Sequence, residues 1–243
     1  MIDKQTLVIL PGWGGNHDTW KECIEIAKSD FDVVCIDLPC FGTEPCPSTV
    51  WGVEEYTQFV KKKLAEVRSP NAEVILLGHS FGGQIAAYLA AMHPELIDKL
   101  ILTGAAVFRP KRTLRRMFFG TIAKIGKIIF RLPVIREGSA WSKKVLYRAA
   151  DSPDYSAASG IKREIFKKII REDLTNILPN IKAKTLIIHG THDSYVPVAD
   201  AKKMAELIPH SRLEIIPNGK HGLHMQNPKK LMEAIHTFIL SER

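Results

Sequence analysis

Ser80, Asp193 and His221 are the residues of this chain whose types and settings could carry nucleophilic chemistry. Ser80 is the centre of Gly78-His79-Ser80-Phe81-Gly82. A serine hydroxyl is a weak nucleophile near neutral pH, so it needs a base to take its proton and a third group to orient the base. His221 lies in Pro217-Asn218-Gly219-Lys220-His221-Gly222, and Asp193 in His189-Gly190-Thr191-His192-Asp193-Ser194. Together they could run acyl transfer: attack by Ser80, proton transfer through His221, and stabilisation of the resulting imidazolium by Asp193. Other residues compete for these roles. His224, three residues beyond His221, is the rival base. His79 adjoins the nucleophile and is expected to be a packed neighbour, because one turn position cannot aim both side chains at a substrate. His192 is expected to face away from the site. Asp37 is an alternative acid, with a turn-stabilising role expected instead.

Each of the three residues follows a short apolar run, which fixes the elements that must hold them. Val74 to Leu77 precedes Ser80, Thr185 to Ile188 precedes Asp193, and Leu213 to Ile216 precedes His221. Leu7 to Leu10, Val33 to Ile36 and Leu100 to Leu102 are runs of the same kind. Continuous apolar runs mark strands buried on both faces, and their alternation with helical-period segments predicts an α/β fold with about six mostly parallel strands and helices on both sides. Ser80 then sits where a strand reverses into a helix over Gln84 to Met92. Flanking glycines remove the Cβ atoms that would collide at so sharp a turn. At 243 residues with 45% hydrophobic content, the chain can form one such unit with a sizeable core.

The order Ser80, Asp193, His221 and the motifs around it resemble the α/β-hydrolase superfamily, specifically its cap-bearing serine esterase-like branch, over nearly the whole chain. Leu10-Pro11-Gly12-Trp13-Gly14-Gly15 is similar to the family's oxyanion loop, with Pro11 where a histidine is common. Asp37-Leu38-Pro39-Cys40-Phe41-Gly42 is similar to its Asp-x-Pro-Gly-x-Gly turn, with Cys40 in place of glycine; positive φ there would imply local strain or a shifted turn. The resemblance implies a core of residues 1–104 and 173–243 with an inserted helical cap at 105–172. Met1 lies only a few residues before the first strand, so the antiparallel hairpin that opens many relatives is expected to be absent. The resemblance also implies an oxyanion hole from the backbone N–H groups of Trp13 and Phe81. Phe108, Trp141 and Tyr155 are candidates for the substrate pocket under the cap, with a simple core role as the equal alternative. The implied reaction is cleavage of a small-molecule carboxylic ester through an acyl-enzyme, without metal or organic cofactor. The same triad serves hydrolysis of a carbon–carbon bond in a vinylogous diketone, or of a thioester. Serine at position 80 argues against the dehalogenases and epoxide hydrolases of this fold, which carry aspartate there. A non-catalytic receptor or membrane-surface adaptor usually lacks a triad member, and none is missing here.

Charge is concentrated in one segment. Arg109 to Arg148 holds twelve basic residues and one acid, while the whole chain carries a formal +8, so the remainder is slightly acidic. Ile122, Ile125, Ile129 and Leu132 recur at helical spacing, with Lys124, Lys127 and Arg131 on another face. The plain expectation is a cap helix with a solvated basic side. A cationic face beside an apolar stripe also suits peripheral contact with anionic membrane, or attraction of anionic substrates. Nucleic acid is not expected, since no recognition module is present and stacking aromatics are few. Residues 117–135 carry three cations and Pro133, which excludes a transmembrane helix. The start of the chain has no secretory signal pattern, and the cysteines, Cys23, Cys35, Cys40 and Cys46, lack zinc-site spacing. Four cysteines allow two disulfides, but with no export signal read, a reduced cytoplasmic state is the expectation.

Overall fold

The computed structural model describes residues 5–67, 72–109 and 160–241. Its frame is a single six-stranded sheet in the order β2-β1-β3-β4-β5-β6, with every neighbouring pair parallel. The strands are β1 (Thr6–Leu10), β2 (Asp32–Cys35), β3 (Val74–His79), β4 (Lys99–Thr103), β5 (Lys184–Gly190) and β6 (Ser211–Ile216). All six grow from the apolar runs identified above. Side chains alternate across a strand, and the core divides accordingly. Leu7, Ile9, Ile75, Leu77, Ile101, Leu186 and Ile188 pack on one face. Val8, Leu10, Val74, Leu76, Leu100, Leu102 and Ile187 pack on the other.

Helices cover both faces. On the first lie α1 (Lys21–Ala27) and a long helix over Pro228–Ser241, whose Leu231, Ile235 and Phe238 join the core. On the second lie α2 (Val53–Val67), α3 (Phe81–Met92), α4 (Gly160–Ile169) and α5 (Val198–Leu207). The short α6 (Leu223–Gln226) precedes the final helix, α7 (Pro228–Ser241). Each fully buried Leu or Ile contributes roughly 1.5–3 kcal/mol of apolar burial, and the central strands are built almost entirely of such residues. α2 is fastened at its start from a distant segment: Glu172 accepts the Val53 N–H at 3.0 Å, while Glu55 accepts the Gly52 N–H at 2.6 Å.

From β1 the chain moves outward to β2 and then returns to the far side of β1 as β3. This reversal opens a crevice at the C-terminal ends of β1 and β3, the place where open α/β sheets hold their ligands.

Two expectations meet the structure differently. The four thiols were expected reduced, but Cys40 and Cys46 form a disulfide, leaving Cys23 and Cys35 as free thiols. A tight turn brings the pair together: Cys40 has φ +78°, and its N–H reaches the carbonyls of Glu44 and Pro45 at 3.2 and 3.3 Å. The cap expected over 105–172 falls mostly outside the described residues, as do Trp141, Tyr155 and the basic segment beyond Arg109. Its described end, α4, packs into the core through Ile165 and Ile169. No helix of the described residues is long and apolar enough to cross a membrane.

Candidate active site

At the end of β3 the chain reverses into α3, and Ser80 occupies the turn with φ +52° and ψ −113°. A non-glycine residue in such a region costs on the order of 1–3 kcal/mol and persists only where its surroundings over-determine it. They do so here. The Ser80 N–H donates to the Thr103 carbonyl at 3.1 Å, and the Ser80 carbonyl accepts the N–H groups of Gln84 and Ala106 at 3.0 and 3.1 Å. The flanking glycines are steric necessities. A Cβ on Gly78 would lie 2.6 Å from the Gly82 carbonyl oxygen, and one on Gly82 would lie 2.2 Å from that of Leu10.

His221 and Asp193 reach the same crevice from the loops after β6 and β5. His221 Nε2 stands 2.9 Å from Ser80 Oγ, and its Nδ1 stands 2.8 Å from Asp193 Oδ2. The Asp193 side chain is 1% exposed and that of His221 16%, so the acid is sealed while the base opens toward the crevice. Burial would raise the Asp193 pKa, but hydrogen bonds from His221 and from the N–H groups of Val196 and Tyr195 outweigh it and hold the carboxyl below its ordinary range. The acid thus stays ionised, as stabilising an imidazolium requires.

Phe81 directly follows Ser80 in the chain, and Trp13 packs against Phe81. Trp13 follows β1, its ring 5.9 Å from that of Phe81, 4.9 Å from Phe41 and 4.8 Å from Phe166. Phe81 is the first residue of α3, whose opening N–H groups have no partner within the helix. Phe108 lies partly buried against the core, with the Lys203 ammonium 4.0 Å from its ring centroid.

The rival residues are placed elsewhere. His224 is buried and stacked on Trp20 at 4.3 Å, behind the site. His192 is exposed. Asp37 accepts the N–H groups of His17 and Thr43 at 2.8 and 3.2 Å, which is the turn-stabilising role expected of it. Three neighbours of the site were not read from the sequence. Gly104, with φ +52°, lies against the acid–base pair: a Cβ there would come within 3.2 Å of His221 Nδ1 and 3.3 Å of Asp193 Oδ2. The Tyr195 ring lies 4.9 Å from that of His221. Buried His189 donates from Nε2 to the Val196 carbonyl at 3.0 Å, bracing the loop that carries Asp193. Among the described residues no group of His, Cys, Asp or Glu is arranged to hold a metal ion.

The buried histidines give acid sensitivity a definite sign. Burial, with a smaller contribution from His221, pushes His224 down to about 4. Burial also holds His79 well below its ordinary value, assisted by His224 and His221 and opposed by a hydrogen bond to the His221 backbone. In the unfolded chain both rings titrate near 6.5, so below that pH the unfolded state takes up protons that the folded state refuses, and stability falls. For His224, at about 1.4 kcal/mol per pH unit, the loss approaches about 3 kcal/mol near pH 4. Asp193 adds its own loss only below about pH 4. Urea denaturation at several pH values should show the midpoint dropping from about pH 6.5 downward. A midpoint unchanged to pH 5 would contradict this assignment.

Residues 5–228 match the family model described as alpha/beta hydrolase fold. The AB hydrolase superfamily protein YisY of Bacillus subtilis is 28% identical over 254 residues, covering 96% of this chain and 90% of its own length. Protein ABHD8 of Homo sapiens is 24% identical over 261 residues, covering 97% of this chain and 55% of its own. The chain therefore spans about half the length of the ABHD8 relatives it matches. In three dimensions it is similar to a bacterial membrane phospholipase A, with TM-score 0.76 and 23% identity over 99% of this chain and 80% of that one, a likeness of fold. Because the family match runs from the first strand past the histidine loop and takes in every element that positions Ser80, Asp193 and His221, the chain belongs to the alpha/beta hydrolase fold family.

Proposed function

We propose that this chain is a serine hydrolase that cleaves carboxylic esters through an acyl-enzyme. The observation that carries the reading is the unbroken line from Ser80 Oγ through His221 to the buried carboxylate of Asp193, at 2.9 and 2.8 Å. His221 Nε2 takes the Ser80 proton as Oγ bonds to the ester carbonyl carbon. Negative charge then develops on the carbonyl oxygen, to which the N–H groups of Trp13 and Phe81 donate hydrogen bonds. Each such donor is worth about 3 to 4 kcal/mol in systems where one has been removed. The tetrahedral intermediate collapses by breaking the ester C–O bond, and His221 returns the proton to the leaving alkoxide. Water enters, loses its proton to His221 and attacks the acyl carbon, and Ser80 leaves with that proton restored. Asp193 holds the ring tautomer throughout and stabilises the imidazolium at both stages.

A panel of p-nitrophenyl esters of graded acyl length, with matched thioesters and amides, tests this reading. Ester turnover is expected, along with stoichiometric labelling of Ser80 by a fluorophosphonate. A folded protein that neither turns over any ester nor takes the label would sink it.

A further inference from the structure

His79 is more than a packed neighbour of the nucleophile. It is 6% exposed and lies at the end of β3, immediately before Ser80. A histidine so placed gives up hydration at both ring nitrogens, which favours an apolar residue unless its polar atoms have work. One of them does. Nε2 lies 3.0 Å from the backbone carbonyl oxygen of His221, 142 positions along the chain. A carbonyl only accepts, so Nε2 carries the proton and Nδ1 the lone pair. Nδ1 finds no hydrogen-bond partner among the described residues. It faces the loop after β1, where a Cβ on Gly12 would lie 2.7 Å from it and 3.1 Å from Ser80 Cβ. The ring is thus clasped between His221, at 4.8 Å between centroids, and His224, at 4.6 Å.

We propose that His79 is a positioning residue: its Nε2–H holds the His221 backbone and thereby sets the imidazole against Ser80, while its other edge seats the Gly12–Trp13 loop. The proposal rests on the serine hydrolase reading above. One side chain then ties the nucleophile turn to the two loops that supply the base and an oxyanion donor. The arrangement works only with a neutral ring, since a second proton on Nδ1 would be buried without an acceptor. Burial favours that neutral form. A displacement of about 1 Å at a catalytic group can cost about a hundredfold in rate, so a single backbone tether behind His221 has ample leverage.

The experiment compares His79→Gln, His79→Asn and His79→Leu in the full chain. The Gln amide reaches about as far as Nε2 and restores the donor; the Asn amide is polar but too short, and Leu has no donor. With p-nitrophenyl acetate, Leu and Asn are expected to lower kcat about 10- to 100-fold with KM within about twofold. Gln should recover most of the loss. Should the Leu variant not fold, the contrast between Gln and Asn decides. A second readout is independent of turnover. Nitrogen-15 NMR of the wild-type imidazoles should show His79 neutral with its proton on Nε2, and the His221 Nδ1–H signal should persist in Gln but weaken in Asn and Leu. Equal behaviour of Gln and Asn, a wild-type proton on Nδ1, or a His221 signal indifferent to all three substitutions would overturn the proposal. If wild type takes no fluorophosphonate yet the NMR pattern holds, the hydrolase reading fails and the tether stands.

Discussion

Replacing Ser80 by alanine is expected to lower ester turnover roughly a millionfold, the scale on which serine hydrolases lose kcat when the nucleophile is removed. The size follows from the geometry. Oγ is the only atom lost, and it is the atom 2.9 Å from His221 Nε2. The strained backbone that presents it is fixed by bonds to Thr103, Gln84 and Ala106 that alanine keeps. The fold should therefore survive. Alanine retains the Cβ and meets the same unfavourable φ of +52° as serine. It forfeits one side-chain hydrogen bond, worth about 1 kcal/mol. Calorimetry should place the melting temperature within about 4 °C of wild type, since about 1 kcal/mol moves a domain of this size by about 2–4 °C. Turnover within a hundredfold of wild type, in protein with an intact melting transition, would falsify the assignment of Ser80 as nucleophile.

What could be read from the sequence, and what could not, follows the range of the forces involved. Strands buried on both faces must be apolar throughout, so Val74 to Leu77 and Thr185 to Ile188 announce themselves locally. Chain order then places Ser80, Asp193 and His221 at strand ends. The start of α3 was missed by three residues. Gly82 and Gly83 are poor helix formers, but close contact with the Leu10 and Pro11 carbonyls and with Ala105 demands them and overrides propensity. The Cys40–Cys46 bond was not legible, because spacing says nothing of the positive φ that folds Cys40 back on Glu44 and Pro45. His79 was read as packing. Its bond to His221 spans 142 positions, and only the folded sheet brings the two together. Gly104 and Tyr195 escaped notice for the same reason: each matters through a contact with His221 that no local pattern encodes.

The two histidines after β6 should separate by several orders of magnitude. His221→Ala removes the base and, with it, the link between Ser80 and Asp193. A loss of roughly a millionfold in kcat is expected, with residual catalysis from the oxyanion hole alone. His224→Ala touches neither reacting atom. The ring it removes is 5% exposed and lies flat on Trp20, with ring planes 7° apart. Its loss leaves a cavity at a cost of about 2–3 kcal/mol, lowering the melting temperature by roughly 4–12 °C, with kcat within about tenfold of wild type. The variant should also become less sensitive to acid. His224, pushed down to about 4, supplies part of the stability that wild type sheds below pH 6.5, and alanine has no proton to take up. Measured together, kcat and the pH dependence of the unfolding midpoint distinguish the roles: His221→Ala should abolish the first and leave the second nearly intact, and His224→Ala should leave the first nearly intact and weaken the second, with the part due to His79 remaining. The opposite pattern would move the base to His224 and leave the 2.9 Å approach of His221 to Ser80 without a catalytic purpose.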